Sequence, residues 1–294
     1  FVPSHRWSLL FTLHMIIILL EKFVEEFFDQ NPLSQLGIVL MKNKRAEKIT
    51  ELSGNIRKHV KAVQGLANMA LTGEPSLQNT LELASRVLRP LPGHASRELL
   101  VLFASLTTCD PGDITTTIQT LKNDGIRCSV IGLAAEVRIC KKLCQDTGGD
   151  YGVVLDDVHY RSLLLECTTP PARARTLDAG LIKMGFPHSS LDEDKTDNAD
   201  PPITVCIHLE EGDTGGVGGE GHLCPQCRSK YCELPAQCRT CGLTLASAPH
   251  LARSYHHLFP VEPYEEVPNE GQTQYCFACI RTFTDLDKNS LQQY

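Results

Sequence analysis

Five cysteines fall within the nineteen residues CPQCRSKYCELPAQCRTCG, from Cys224 to Gly242. Two pairs have C-x-x-C spacing, Cys224/Cys227 and Cys238/Cys241. Ten residues separate the pairs, and Cys232 lies between them. Such density serves thiol–disulfide exchange, disulfide cross-linking or metal binding. A redox C-x-x-C comes singly, on a βαβ unit. Two knuckles ten residues apart instead let four thiolates converge on one Zn²⁺ at about 2.3 Å. Gly242 follows the second pair, where a tight knuckle turn needs positive φ. The spacing therefore predicts a C4 zinc site made by Cys224, Cys227, Cys238 and Cys241, with Cys232 packed nearby as a small apolar residue. Such a cluster exists only in the folded chain, so metal binding supplies folding free energy on the order of 10 kcal/mol.

The other candidates for chemistry are weaker. Cys276 and Cys279 form a third C-x-x-C, but no partner pair follows before Tyr294. A half-site cannot close a tetrahedral zinc shell, so two free thiols are expected there. Cys140 and Cys144 share helical spacing with Val137 and Leu143, the pattern of core cysteines, and Cys128 lies in an apolar run. Cys109, Cys167 and Cys206 are isolated. An odd total of thirteen, without a signal segment, favours a reducing compartment. His256 and His257 stand beside a cysteine set that already fills the shell. The aromatic run Tyr255-His-His-Leu-Phe-Pro260 must bury itself against the zinc module, the rest of the chain or a partner. Arg228, Lys230, Arg239 and Arg253 against Glu233 are too scattered to mark more than a weak or indirect nucleic-acid contact. Neither Gly-rich phosphate fingerprint occurs, and no Ser/His/Asp or Cys/His set stands out.

The elements that must carry these residues come in two parts. Residues 1–169 alternate. Strands are expected at Ser34–Met41, Glu47–Leu52, Glu98–Ala104, Ile126–Leu133 and Tyr151–Leu155. Helices are expected at Asn55–Met69, Ser76–Leu88, Ile114–Lys122, Glu136–Thr147 and Asp156–Glu166. Asp110-Pro-Gly-Asp113 is read as capping the third of these, with Pro111 in its first turn. Continuous apolar runs such as Leu99–Ala104 mark strands covered on both faces. The alternation predicts an α/β fold with a doubly wound, mostly parallel sheet, followed by a small C4 zinc ribbon. In such sheets ligands bind at the carboxyl ends of strands, which points to Ser105–Asp110 and Gly132–Glu136.

Leu9–Leu20 is strongly apolar, but twelve residues are too few for a membrane helix of about 20. No small-residue cleavage site follows. Leu20, Phe23, Val24 and Phe27 continue one helical face, so a buried core helix is expected and no membrane span. The chain opens on Phe1, as an incomplete or alternative form would. Its net charge of −7 is local: nine acids and one base lie between His188 and Gly221, leaving 26 acids and 27 bases elsewhere. This acidic, Gly-rich stretch is expected to be a solvated linker. Just before it, Leu181-Ile-Lys-Met-Gly-Phe-Pro187 echoes the Met-Gly-Phe loop of ubiquitin-associated domains, without their helices, and is expected to act as a tethering strand or hydrophobic anchor.

Residues 21–169 resemble a von Willebrand factor A domain. Phe23-Val-Glu-Glu-Phe-Phe-Asp-Gln-Asn-Pro, Lys44-Arg-Ala-Glu-Lys, Glu51-Leu-Ser-Gly-Asn, Ser105-Leu-Thr-Thr-Cys-Asp-Pro, Ser129-Val-Ile-Gly-Leu, Cys224-Pro-Gln-Cys and Leu245–Pro260 resemble one family in particular. It comprises the A-domain and zinc-ribbon subunits of the general transcription and repair factor TFIIH, partners of its XPD helicase. The resemblance covers roughly residues 21–275. It implies a nuclear, non-catalytic scaffold that docks on and stimulates an XPD-type helicase within the TFIIH core, in transcription initiation and nucleotide excision repair. It divides the chain into an A-like domain (1–169), a linker (170–221), the zinc module (222–260) and a tail with the remnant of a RING-like module (261–294). The chain departs from the family at both ends. Metal-binding A-domains use Asp-x-Ser-x-Ser after the first strand, yet the first Asp here is Asp29, and unrelated residues replace that strand. Metal-dependent adhesion through Asp110 is therefore not expected, and the integrity of the sheet is in question. The alternative is a RING-like zinc-dependent ubiquitin ligase, against which the single remaining ligand pair counts, or a zinc-mediated protein-interaction module. For a helicase-regulating surface, the candidates are the loop after Glu98–Ala104 and the charged turn Lys42–Lys48.

Overall fold

The computed structural model describes residues 5–69, 73–92, 95–170, 182–187, 221–260 and 280, and the backbone pairs at 204–205, 217–218, 266–267 and 292–293; for residues 5–13 it describes the backbone alone. Helix α1 (His5–Gln30) opens the chain. It buries Ile17, Leu19, Phe23, Val24 and Phe28. Leu19 and Phe23, and Val24 and Phe28, stand four residues apart, and Ile17 and Val24 seven, the spacing of one helical face. Strands β1 (Leu36–Lys42) and β2 (Arg45–Ser53) form an antiparallel hairpin. Asn43 and Lys44 both take positive φ, 50° and 61°, the backbone that a two-residue hairpin turn requires. β2 is longer than its sequence signal because Arg45, Glu47 and Lys48 are exposed along it. Charged residues are common on strands with an open edge and hide the period-2 pattern.

Helices α2 (Ile56–Leu66) and α3 (Leu77–Leu88) precede β3 (Arg97–Phe103). Then come α4 (Ile114–Asn123), β4 (Ile126–Gly132), α5 (Arg138–Thr147), β5 (Tyr151–Val153) and α6 (Asp157–Glu166). Strands β3, β4 and β5 pair in parallel in that order, with Leu99 opposite Cys128 and Val130 opposite Tyr151. Side chains alternate across this sheet. Leu99, Val101, Phe103, Cys128 and Val130 meet Leu77, Leu81, Ile118, Leu121, Leu143 and the buried thiols of Cys140 and Cys144 on one face. Leu100, Leu102 and Ile131 meet Phe23, Phe28, Val63, Tyr160 and Leu164 on the other. Helices thus cover both faces, the doubly wound layering that the alternation predicts. Each fully buried Leu contributes about 1.5–3 kcal/mol relative to an exposed one. The sheet, however, comes in two pieces. The hairpin β1–β2 and the parallel β3–β4–β5 are separate, and no described strand joins them.

The cap of α4 is also corrected. Asp113, not Asp110, is its N-cap and accepts from the Thr115 N–H; Pro111 precedes the helix. Asp110 serves α3 instead. Its Oδ1 accepts from the Gln78 N–H at 2.8 Å and from the Ser76 hydroxyl at 3.0 Å, while the Thr108 hydroxyl lies 3.0 Å from both carboxylate oxygens. An anion across the start of a helix satisfies N–H groups that lack an intrahelical partner.

The second part is small. Strand β6 (Met184–Gly185) is followed by the paired β7 (Thr204–Val205) and β8 (Val217–Gly218). Then come β9 (His222–Leu223), β10 (Lys230–Tyr231), β11 (Ala236–Gln237), β12 (Thr244–Leu245), α7 (Ala248–Arg253) and α8 (Tyr255–Leu258). Residues 266–267 pair with 292–293. β6 pairs in parallel with β12, so the Met-Gly-Phe stretch is the tether that its apolar residues predict. Cys206, Cys276 and Cys279 lie outside the described residues. No described helix is long and apolar enough to cross a membrane.

Candidate metal centre

Two short hairpins carry the four cysteines. β9 and β10 flank Cys224 and Cys227, and β11 and β12 flank Cys238 and Cys241. The two turns have the same wiring. The Cys224 N–H donates to the Ser229 carbonyl at 2.9 Å, and the Arg228 N–H returns to the Cys224 carbonyl at 2.9 Å. In the second knuckle the Cys238 N–H donates to Leu243 at 2.8 Å, and the Gly242 N–H to Cys238 at 2.8 Å. The fourth residue after each leading cysteine is left-handed: Arg228 at φ 61° and Gly242 at φ 73°. The glycine is legible in the sequence. Its counterpart Arg228 is not, because an arginine carries no signal for that backbone.

The knuckles bring the four Sγ atoms within 4.8 Å of one another. Cys224 and Cys241 lie 3.6 Å apart, and Cys227 and Cys238 3.4 Å apart. Four sulfurs at about 2.3 Å from one zinc stand about 3.8 Å from each other, the edge of the tetrahedron. The donor set therefore fits Zn²⁺ in type, number and spacing. Cys224 and Cys238 are buried, whereas Cys227 and Cys241 are half-buried.

Neighbouring donors favour ionised sulfur at Cys238 and Cys227, whereas at Cys241 the Leu243 N–H is outweighed by burial and by the neighbouring sulfurs, which push that thiol up to about 12. Burial opposes ionisation of Cys238, but hydrogen bonds from the Tyr231 hydroxyl and the Cys241 N–H outweigh it and bring the thiol down to about 6. The Ser229 hydroxyl, 3.1 Å from Cys227 Sγ, and the Ser229 N–H hold the Cys227 thiol below its ordinary value. Ser229 also reaches the Thr240 hydroxyl at 3.0 Å, linking the two knuckles. Beneath them Tyr231 and Leu245 are fully buried, and the Tyr231 oxygen accepts from the Arg239 N–H at 2.7 Å. This small core cannot stand alone, which is the usual reason for a structural metal.

Cys232 departs from its expected role. It is half-buried and disulfide-bonded, so it is not a loose apolar filler beside the four thiols. The aromatic run stays open in this chain. Tyr255 and Phe259 are 56% and 65% exposed, with ring centroids 5.2 Å apart, so neither the ribbon nor the α/β unit buries them. Cys128, Cys140 and Cys144 are buried thiols whose ionisation burial pushes up to about 12, 11 and 12, the state of inert core cysteines. In the charged turn, Lys44 pairs with Glu74 at 3.1 Å, while Arg45 is exposed. At the carboxyl edge of the parallel sheet, Leu106 in the loop after β3 is also exposed.

Comparison with known proteins gives this arrangement its relatives. General transcription factor IIH subunit 2 of Arabidopsis thaliana is 47% identical over 268 residues, covering 88% of this chain and 60% of that protein. General transcription and DNA repair factor IIH subunit ssl1 of Schizosaccharomyces pombe is 42% identical over 270 residues, covering 89% and 61%. The chain thus spans about three-fifths of the length of these curated relatives. Among solved structures, a von Willebrand factor type A protein from Catenulispora acidiphila aligns over 52% of this chain and 38% of that one, at 13% identity and a TM-score of 0.43. Residues 11–187 match the Ssl1-like family, which is more than half of the sequence, and the chain belongs to that family.

Proposed function

We propose that this chain is a non-catalytic scaffold subunit of the TFIIH core, acting in the nucleus in transcription by RNA polymerase II and in nucleotide excision repair. Its partners are an XPD-type helicase, which it docks on and stimulates, and other core subunits. Any contact with nucleic acid is weak or indirect. The names of the relatives and the family match support the assembly. The observation that carries the reading is the pairing of an A-like α/β unit with a four-thiol cluster. Cys224, Cys227, Cys238 and Cys241 hold one Zn²⁺, which supplies cross-linking of the two knuckles. The proposed division of labour follows residues 1–169, 170–221, 222–260 and 261–294. The first segment carries the helicase-regulating surface, at Lys42–Lys48 and the loop after β3, and the third stabilises the assembly.

The test is co-purification of the chain with an XPD-type helicase, with helicase stimulation and elemental analysis on the same material. One zinc per chain and stimulated unwinding are expected. A chain that loads zinc but neither binds nor stimulates the helicase refutes the partner assignment. Two zincs per chain would place a second site at Cys276 and Cys279.

A further inference from the structure

The turn Lys42–Lys48 and the loop after β3 are far apart in sequence, yet both are bonded to one segment, Gly73–Asn79, which leads into α3. On the turn side, the Lys44 N–H donates to the Glu74 carbonyl at 2.7 Å, and the Lys44 ammonium pairs with the Glu74 carboxylate at 3.1 Å. The Lys44 carbonyl accepts from the Asn79 side chain at 2.8 Å. On the loop side, the Cys109 N–H donates to the Pro75 carbonyl at 2.9 Å, and the Thr108 hydroxyl accepts from the Leu77 N–H at 2.9 Å. Asp110 ties the loop down further, since its carboxylate accepts from the Ser76 and Thr108 hydroxyls and from the Gln78 N–H. Glu74 and Pro75 are neighbours, so the backbones of turn and loop approach within about 10 Å. Ser76 and Gln78 are only 0% and 7% exposed, so no partner can touch them.

The two halves differ in character. Lys42 and Arg45 stand opposite each other as the closing pair of the hairpin. Like charges directly opposite destabilise an antiparallel pair. Neither forms an ion pair with a described carboxylate, whereas Lys44 and Lys48 do, with Glu74 and Glu51. An anion set between Lys42 and Arg45 would relieve the repulsion. In the loop, Leu106 is 64% exposed. Carboxylates at the turn and an apolar side chain at Leu106 therefore complement the two halves.

We propose that turn and loop form one docking surface for an acidic segment of the helicase that carries an apolar side chain, and that Ser76, Thr108 and Asp110 are positioning residues holding its two halves together. The inference rests on the helicase reading above. A partner held at one half meets the other at a fixed distance, so the second contact forms without a further loss of freedom. Loosening the link between the halves removes that advantage without altering either contact.

Titration of the full chain with an XPD-type helicase, followed by hydrogen exchange, tests this. In the parent, binding should slow exchange at both Lys42–Lys48 and Ser105–Asp110, and Arg45→Glu should lower the protection of both. Ser76→Ala and Thr108→Val should each weaken binding roughly fivefold, the equivalent of one lost hydrogen bond. In either variant, adding Arg45→Glu should leave the loop's protection unchanged. Thr108→Ser keeps the hydroxyl and should restore binding. A merely structural cap would lower the melting temperature but leave the affinity of the folded chain intact, and that outcome overturns the proposal. So does protection of one segment alone, or Thr108→Ser binding as weakly as Thr108→Val. Raising salt from about 0.05 to 0.3 M should weaken binding by screening exposed charges, and a salt-independent affinity overturns the acidic assignment. A parent chain that binds no helicase refutes the helicase reading itself; a parent that binds, with variants that match it, refutes only the coupling.

Discussion

Replacing Gly242 by Ala tests the metal centre without touching a ligand. Gly242 sits at φ 73°, and its N–H closes the second knuckle on the Cys238 carbonyl at 2.8 Å. A Cβ built there meets no heavy atom within 4 Å, so no clash enters. What remains is the left-handed backbone, which costs an L-residue about 1–2 kcal/mol. The metal-free ribbon has too little core to fold, so this strain falls on the zinc-bound state. With tenfold in affinity for each 1.4 kcal/mol, zinc binding should weaken roughly 5–30-fold. Competition against a chromogenic chelator reads the change directly. Arg228→Gly should shift affinity the other way, since Arg228 holds the equivalent position at φ 61°. Its gain is smaller, because glycine also frees the unfolded chain by about 0.5–1 kcal/mol. Zinc affinity within twofold of the parent for Gly242→Ala would refute the knuckle wiring as the source of site geometry.

Four further outcomes are expected. Cys224→Ser with Cys241→Ser should abolish zinc binding and unfold the ribbon while the far-ultraviolet signal of residues 1–169 persists; retention of stoichiometric zinc on elemental analysis would contradict the ligand set. Gly185→Ala should destabilise the ribbon by about 1–3 kcal/mol through overpacking, because its Cβ would stand 2.6 Å from Leu243 and 2.9 Å from Pro225; thermal melts monitored at Tyr231 would show it. His59 is fully buried and burial lowers its pKa below the ordinary value, so the unfolded state binds more protons below about pH 6.5 and stability falls as pH drops through that value; urea midpoints from pH 7.5 to 5 should fall more steeply for the parent than for His59→Gln. Arg45→Glu, at an exposed position, should weaken helicase stimulation with zinc content unchanged, whereas Lys44→Glu also breaks the solvent-screened Lys44–Glu74 pair.

The knuckles were legible because metal geometry fixes ligand spacing, and spacing is a property of the sequence. The central strands were legible for a related reason. Ile126–Gly132 is buried on both faces, so its composition alone separates it from its neighbours. Long-range polar choices were not legible. Asp110 lies near one helix in sequence, yet its carboxylate serves another, 32 residues away at Gln78. Local propensity favours a cap wherever an Asp precedes a helix, but packing decides which helix start lies within reach. Tyr255 and Phe259 mark a different limit: their apolar character calls for cover without saying whether the chain or a partner supplies it, and the chain leaves both exposed.

The ribbon's hold on the α/β unit follows from the same distinctions. Among the described residues, polar contacts that cross between them include Arg57 to Glu233 at 2.7 Å, Asp29 to Arg253 at 4.0 Å, and the Leu33 N–H to the Ser254 hydroxyl at 3.4 Å. The two ion pairs are well exposed and the hydrogen bond is long, so each is worth at most about 1 kcal/mol. The tether is better anchored. Met184 and Gly185 pair with Thr244 and Leu245, and the Ala246 N–H donates to the Gly185 carbonyl at 3.0 Å. Gly185 faces both knuckles closely enough that a Cβ there would clash with the side chains of Pro225 and Leu243. A ribbon that lost its metal would release this strand and, with it, the weak contacts to α1 and α2. A zinc ion held by the four proposed ligands would therefore act at a distance, ordering a surface that spans α1, α2 and the ribbon although those ligands all lie within residues 224–241.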